Sequence, residues 1–515
     1  MTDFNSAIEN GGYSIYLPAL STFFVRQLAK SINKPQSYQD QRFGNSFELG
    51  SAGLDFLKEH NSYFHYKWAL YSAGHAHLDL TKGRTDESMV HGRDRNHTTL
   101  IGDSSGYQVA KGASHFKNMD WDNFTGASGD VIRHKILNWL ENTADWSMTF
   151  DIPAMASEPP YNKKTKLTSF KDTLDYTLIN LDYFIKNRTP GKTKFLNVLS
   201  GTSPTNSKTW YDAVIPYSNQ AEVTKMNLSP DRTFEGYAFA GINKFHMKTA
   251  LERMLDLSRS RLLEYKDWIH FLGIGRLDWA CYLTAIQRQL RKYYNPNITI
   301  SFDAATPFLG AAKGQIYADN IFTPERIGYV QRNTIDERSM KGSTVPLPFQ
   351  SPIADRMNVG HICQLGHGDL NQLGKEGLGS WDSMSYVLVA AHCVYKHIEA
   401  VIEANKLVDF EMCRGIYQRL HYSDWTADKK NSGANKVSDL IPASLLFFNK
   451  LVEDVFDPTT KDPQKILNDN AAFLESISIG GKRSNTFDSL FQDQSTTHCS
   501  DVIEDSDDIF DGSNQ

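Results

Sequence analysis

Cysteine is scarce in this chain: Cys281, Cys363, Cys393, Cys413 and Cys499 are few, odd in number and widely spaced. That pattern argues against a fold stapled by disulfides. Long apolar stretches are also missing; no run of about 18 apolar residues reads as a membrane-crossing helix. The amino terminus, Met1-Thr-Asp-Phe-Asn-Ser, lacks the basic and then apolar plan of a signal peptide, so the expectation is a cytoplasmic protein with no membrane partner. Positive charge is not in excess either. A formal net charge of -6 excludes a generally basic nucleic-acid coat, but leaves room for a local basic channel, because only the charge facing the phosphates counts. No internal repeat is visible.

What the chain does have is 515 residues, 40% of them apolar and 12% aromatic, enough for a sizeable core in one large domain with additions or in several average ones. Short apolar runs alternate with helical spacing. Strands are expected at Gly12–Pro18, Tyr66–Tyr71, Thr98–Asp103, Trp146–Asp151, Phe195–Leu199, Phe234–Ala240, Trp268–Leu272 and Ile298–Phe302. Helices are expected through Phe23–Leu28 and over Val131–Asn142, Ser169–Asn187, Met247–Glu264 and Leu277–Tyr293. About eight strands, most followed by a helix, predict an α/β fold with a parallel sheet closed as a (β/α)8 TIM-like barrel. Residues 1–60 read as an amino-terminal extension partly joining the barrel, 61–310 as the barrel core, and 311–480 as a loop-rich insertion with long helices at Ser383–Leu407 and Ser438–Val455. Residues 481–515 read as an acidic, disordered tail.

Three of the strand runs stop at an acid, Asp103, Asp151 and Asp303. Thr306-Pro307 is expected to keep a helix from following the last run at once, because proline biases its predecessor away from the α region. A barrel would gather these strand ends round one mouth, where catalytic groups collect. Between them stand tops of small residues, Ser200-Gly-Thr202 and Ala240-Gly-Ile242, which expose backbone to a flat ligand. Acids in one cleft suit either metal binding or glycosyl chemistry, in which one carboxylate attacks the anomeric carbon and another handles the leaving group's proton.

These residues also carry a family resemblance. Ile101-Gly-Asp-Ser-Ser-Gly-Tyr-Gln-Val109 is similar to the "TDSGGYQV" signature of the tRNA-guanine transglycosylase superfamily. In the family's order, Met148-Thr-Phe-Asp151 resembles "MAFDE" or "LDIP", and Phe234 to Ile242 resembles "FDGYAIGGL". Phe271 to Gly275 resembles "YLMGVG", and Phe302-Asp-Ala-Ala-Thr-Pro307 resembles "FDCVLPT". The resemblance covers roughly residues 65 to 310 and, weakly, the helix near 392. It implies a pentosyltransferase in which Asp303 is the nucleophile on the sugar C1′ and Asp103 the general acid/base. Asp151 would then bond the base edge, Tyr107 would stack on the base, and Ser104, Ser200, Gly241 and Ile242 would line its pocket.

The departures from the pattern bear on the substrate. Val198-Leu-Ser200 replaces the family's "VQGG", so Ser200 stands in for a base-reading glutamine; Phe308-Leu309 replaces a Thr-Arg pair used on RNA. The chain looks closest to the branch that exchanges guanine in DNA for a 7-deazaguanine such as preQ0, known from phages and bacterial modification clusters, with tRNA as the alternative polymer. A homodimer is an open option. Arg288, Arg291 and Lys292, and Lys163, Lys164 and Lys166, are candidates for backbone contacts. The resemblance further implies a structural zinc, for which His361, Cys363, His367 and His392 are the candidate ligands. Two other classes compete: a metal-dependent amidohydrolase barrel using His75 and His77 with Asp303, and a catalytically dead nucleic-acid-binding barrel.

Overall fold

The computed structural model describes residues 3–33, 42, 44–112, 116–117, 119–335, 338–363, 382–414 and 438–479. Eight short strands build one parallel sheet: β1 (Ile15–Pro18), β2 (Trp68–Ser72), β3 (Thr99–Asp103), β4 (Trp146–Met148), β5 (Lys194–Leu199), β6 (Gly236–Phe239), β7 (Trp268–Phe271) and β8 (Thr299–Ala304). Each strand from β2 to β8 pairs with its sequence neighbour, and β1 pairs with β8. The sheet closes where Ala19 bridges Leu70 and the Leu20 N–H donates to the Leu70 carbonyl at 2.9 Å. The expected TIM-like barrel is present.

Alternation along the strands sets what faces inward. Gly102 lies against Leu140 and Ala144 of the surrounding helix, so its neighbours Ile101 and Asp103 turn into the barrel. Phe239 and Phe271 stack on each other on the outer face, with Phe271 also against Trp279, which turns His270 inward.

The outer helices follow from amphipathic spacing and caps. Phe170–Asn187 opens with a capping box between Ser169 and Asp172, and buries Leu174, Leu181, Phe184 and Ile185. The 31-residue helix Ser383–Cys413 is capped by Asp382 and lies against Leu277–Tyr293 on one side and Thr22–Asn33 on the other, in the place of the barrel's eighth helix. The barrel therefore draws its first strand and its last helix from outside residues 61–310. Ala443–Phe456 packs on Leu277–Tyr293 through Tyr282 and Phe448, whose ring centroids are 4.7 Å apart.

Two local expectations are corrected, and one element is added. A helix, Thr306–Ala312, follows β8 almost at once, with Pro307 in its first turn, where a missing N–H costs nothing because that N–H has no helical partner. The loop-rich segment after it contains an antiparallel hairpin, β9 (Gln315–Phe322) and β10 (Ile327–Asn333). Phe4–Gly11 is a helix, capped by Asp3, in a stretch that shows no clear period. No described helix is long and apolar enough to cross a membrane. The expected acidic tail, 481–515, lies outside the described residues.

Candidate active site

Asp303 is one residue from the end of β8, and its Oδ1 is held twice. The Gly273 N–H donates to it at 2.7 Å from the β7 top, and His270 Nε2 approaches at 3.1 Å. His270 is fully buried; its Nδ1 lies 2.9 Å from Ser301 Oγ, which also accepts the Trp268 indole N–H at 2.7 Å. A neutral ring with its hydrogen on Nε2 donates to Asp303 and accepts from Ser301 at Nδ1. A self-consistent chain of donors from the barrel interior thus fixes one oxygen of the carboxylate. Oδ2 makes no hydrogen bond among the described residues, and remains available as a nucleophile.

Asp103 ends β3, three strands round the barrel from β8. Ser72 Oγ donates to Oδ2 at 2.7 Å and the Ser105 N–H to Oδ1 at 3.2 Å. Burial raises this carboxyl above the ordinary range, and the Asp303 charge raises it further, while the two donors and His75 pull it down. The two acids are therefore close enough to interact, yet differently placed: one is oriented by donors from below, the other is biased toward holding its proton.

Asp151 follows β4. Burial, then the Asp103 charge, pushes it up to about 7, with Lys244 acting in the opposite sense. Gly106 opens the helix Gly106–Lys111 so close to this strand top that a Cβ would stand 2.1 Å from the Asp151 carbonyl oxygen, which only glycine permits. That approach carries Tyr107 to the mouth, where its ring meets Tyr161 edge-on at 6.5 Å. Ser104 is buried, and its hydroxyl donates to the Thr149 carbonyl at 3.0 Å. Across the barrel Gly241, at φ 53°, passes so near Gly201 that a Cβ would lie 2.4 Å from that carbonyl and 2.8 Å from Ser200 Oγ. Ile242 donates its N–H to Gly201 at 2.8 Å, which turns the chain into the short helix Ile242–Phe245.

Three contributors escape sequence reading: Ser72, His270 and Lys244. His270 had a signal, a polar residue inside the buried run Trp268–Phe271. Ser72 and Lys244 had none, since only the fold brings them to the acids.

The zinc expectation is corrected. Among the described residues no group of three or more His, Cys, Asp or Glu side chains is placed to hold a metal ion. His361 Nδ1 accepts the Asn358 N–H, and Cys363 Sγ donates to the Ile335 carbonyl at 3.2 Å. His392 is buried with Nδ1 on Ser351 Oγ and Nε2 on the Tyr317 carbonyl, both at 2.8 Å. Burial drives its pKa down to about 4, which suits a neutral ring used as a core connector. His367 lies outside the described residues. The same finding leaves the amidohydrolase reading without a donor set: His75 Nε2 meets the Gln108 side chain at 3.0 Å and His77 faces Asp86 at 3.2 Å.

The two basic groups part company. Arg288 pairs with Asp409, Lys292 with Glu453, and Arg291 donates to the Ile298 carbonyl just before β8 begins. These three stand at the end of the barrel away from the acids. Lys163, Lys164 and Lys166 follow the β4 top instead; Lys164 Nζ donates to the Gly112 carbonyl, Lys166 pairs with Asp122, and Lys163 is exposed.

No protein-family model matches the chain, and a search of curated proteins returned no match.

Proposed function

We propose that the chain is a base-exchanging transglycosylase that replaces guanine in DNA by a 7-deazaguanine. The observation that carries this reading is the pairing of Asp303 and Asp103 at one barrel mouth in unlike environments, one suited to attack and one to proton transfer. The ordered motif resemblance supports it. So does Ser105, which adopts a left-handed φ of 76° at the position where the quoted signature has its first glycine.

In the first displacement an Asp303 oxygen forms a bond to C1′ as the C1′–N bond to guanine breaks, and the carboxyl proton of Asp103 passes to the departing base. The product is a glycosyl ester on Asp303, a carboxylate on Asp103 and free guanine. In the second, the incoming base attacks C1′, the ester bond breaks, and Asp103 takes up the proton released. Two inversions retain configuration. Asp151 accepts hydrogen bonds from the edge of the base, Tyr107 stacks on it, and the backbone at Ser200, Gly241 and Ile242 forms the opposite wall.

DNA is preferred to tRNA because Phe308-Leu309 replaces the pair used on RNA, and nothing after residue 310 resembles the RNA-binding domain of the archaeal tRNA enzymes. A guanine in duplex must leave the stack, at a cost of a few kcal/mol, before C1′ is accessible. Lys163 and Lys164, beside Tyr107 and Tyr161, would take the flanking phosphates. The test is to incubate the protein with labelled guanine and either duplex DNA or tRNA. Label should enter DNA, and faster where the guanine is mispaired; uptake into tRNA alone would overturn the choice of polymer, and uptake into neither would overturn the transglycosylase itself.

A further inference from the structure

Asp103 poses a problem that its neighbours solve. An ionised carboxylate accepts from both Ser72 Oγ and the Ser105 N–H. A protonated one must instead donate from one oxygen, and in a buried site that reversal would leave the Ser72 hydroxyl hydrogen facing another hydrogen unless it has somewhere to turn. It has: Ser105 Oγ lies 3.2 Å from Ser72 Oγ, with either able to donate, and both residues are buried.

We propose that Ser72 and Ser105 form a two-hydroxyl relay that matches the hydrogen-bond direction to the protonation state of Asp103. In the ionised state Ser105 O–H donates to Ser72 Oγ and Ser72 O–H donates to Asp103. In the protonated state Asp103 O–H donates to Ser72 Oγ and Ser72 O–H swings to Ser105 Oγ. No heavy atom moves, and the hydroxyl hydrogen left without an acceptor in the protonated state is that of Ser105, one group removed from the carboxyl, rather than that of Ser72 against it. The Gly74 N–H, 3.3 Å from Ser72 Oγ, steadies that oxygen in both states.

Two further observations fit. Ser105 keeps a side chain at a left-handed φ of 76°, where glycine would be unstrained, so the hydroxyl is retained against a local conformational cost. The other ionisable groups facing Asp103 are Asp303 from β8, His75 from the β2 top and Asp151 from the β4 top, with Lys244 acting on Asp151. The two carboxylates disfavour its ionisation and His75 favours it, so the relay works on a proton already held in balance. Ser72 and Ser105 are positioning residues here; the inference rests on the reading of Asp103 as acid and base.

The relay makes the two serines act in opposite directions. Ser72→Ala removes a donor to the carboxylate, and Asp103 should titrate about one pH unit higher. Ser105→Gly removes a donor to Ser72 Oγ that the Gly74 N–H still replaces in the ionised state, and the acceptor that nothing else among the described residues replaces in the protonated state, so Asp103 should titrate lower by a similar amount, while the melting temperature holds or rises as backbone strain is relieved. Ser72→Thr should restore the native midpoint. Each midpoint is read without substrate, from the carboxyl infrared band in spectra of the protein minus those of its Asp103→Asn counterpart. Opposite shifts with rescue by threonine are expected; shifts in the same direction, or an unmoved midpoint in Ser105→Gly, would overturn the relay. Because no nucleic acid is used, opposite shifts together with failure of guanine uptake would leave the relay standing and remove only the transglycosylase reading.

Discussion

The two ends of the barrel treat their charges oppositely. At the end where strands begin, arginines tie the turns together: Arg93 and Arg95 both reach Asp145, at 2.7 and 3.0 Å, and Arg188 reaches Glu235 at 2.5 Å while also donating to the carbonyls of Thr193 and Thr233. Every one of these cations has an acid or a carbonyl against it. At the end where strands finish, Asp103, Asp151 and Asp303 face one another, and two of them are pushed upward by burial and by mutual repulsion. The difference teaches how the molecule separates its tasks. Paired charge at the floor stabilises the fold, whereas the mouth gathers acids that burial and one another's charge hold back from ionising.

Breaking the mouth should therefore cost chemistry and not stability. Asp303→Asn keeps an oxygen for Gly273 and His270 but offers no nucleophile, so base exchange and ester trapping should fall by about a thousandfold or more. Its melting temperature should stay within about 2 °C of the native value. Exchange at the native rate would remove Asp303 from the nucleophile role.

Breaking the floor should do the reverse. Arg188 is fully buried in its side chain and lies 5.0 Å from the Phe195 ring as well as on Glu235. Arg188→Ala leaves carbonyls and a half-buried carboxylate without their donor, and should destabilise the protein by about 3 kcal/mol in denaturant unfolding. Activity per folded molecule should be unchanged. A loss under about 1 kcal/mol would mean that the floor pairs are as dispensable as exposed ones.

How much of this contrast was legible beforehand follows from range in the chain. The strand ends at Asp103 and Asp303 could be read because a β-branched run stopped by an acid is a local pattern, and local patterns survive folding. The helix Ser383–Cys413 was visible as a helix, but its place between the first and seventh outer helices was not, because closure of the barrel is decided by packing far from it in sequence. The zinc expectation failed for a related reason. Nearness of His361, Cys363 and His392 to plausible motif positions says nothing about where their lone pairs point, and the hydrogen bonds of His392 to Ser351 and Tyr317 use both of its nitrogens. Ser72 was hidden because its contact with Asp103 depends on the register between neighbouring strands, which no local pattern records.

The effect of pH sharpens the contrast most, because a single carboxylate should give stability and binding opposite slopes with pH. Asp151 is raised from 3.8 to about 7, so ionising it costs the folded state more than the unfolded one. Its contribution is least unfavourable below pH 3.8, worsens as pH climbs toward 7, and is constant above that. Stability should thus fall between these limits by less than about 1.4 kcal/mol for each pH unit, the ceiling for one proton. Capture of a guanine-type base should rise over the upper part of the same window, because only the carboxylate can accept from the ring N–H and the amino group together. Asp151→Asn has no proton to lose, so both slopes should shrink, whereas Arg188→Ala should leave both in place. Thermal melting and base binding, each followed from pH 5 to 8 in the three proteins, would separate these outcomes; parallel slopes in Asp151→Asn and the native protein would place the titration elsewhere in the mouth.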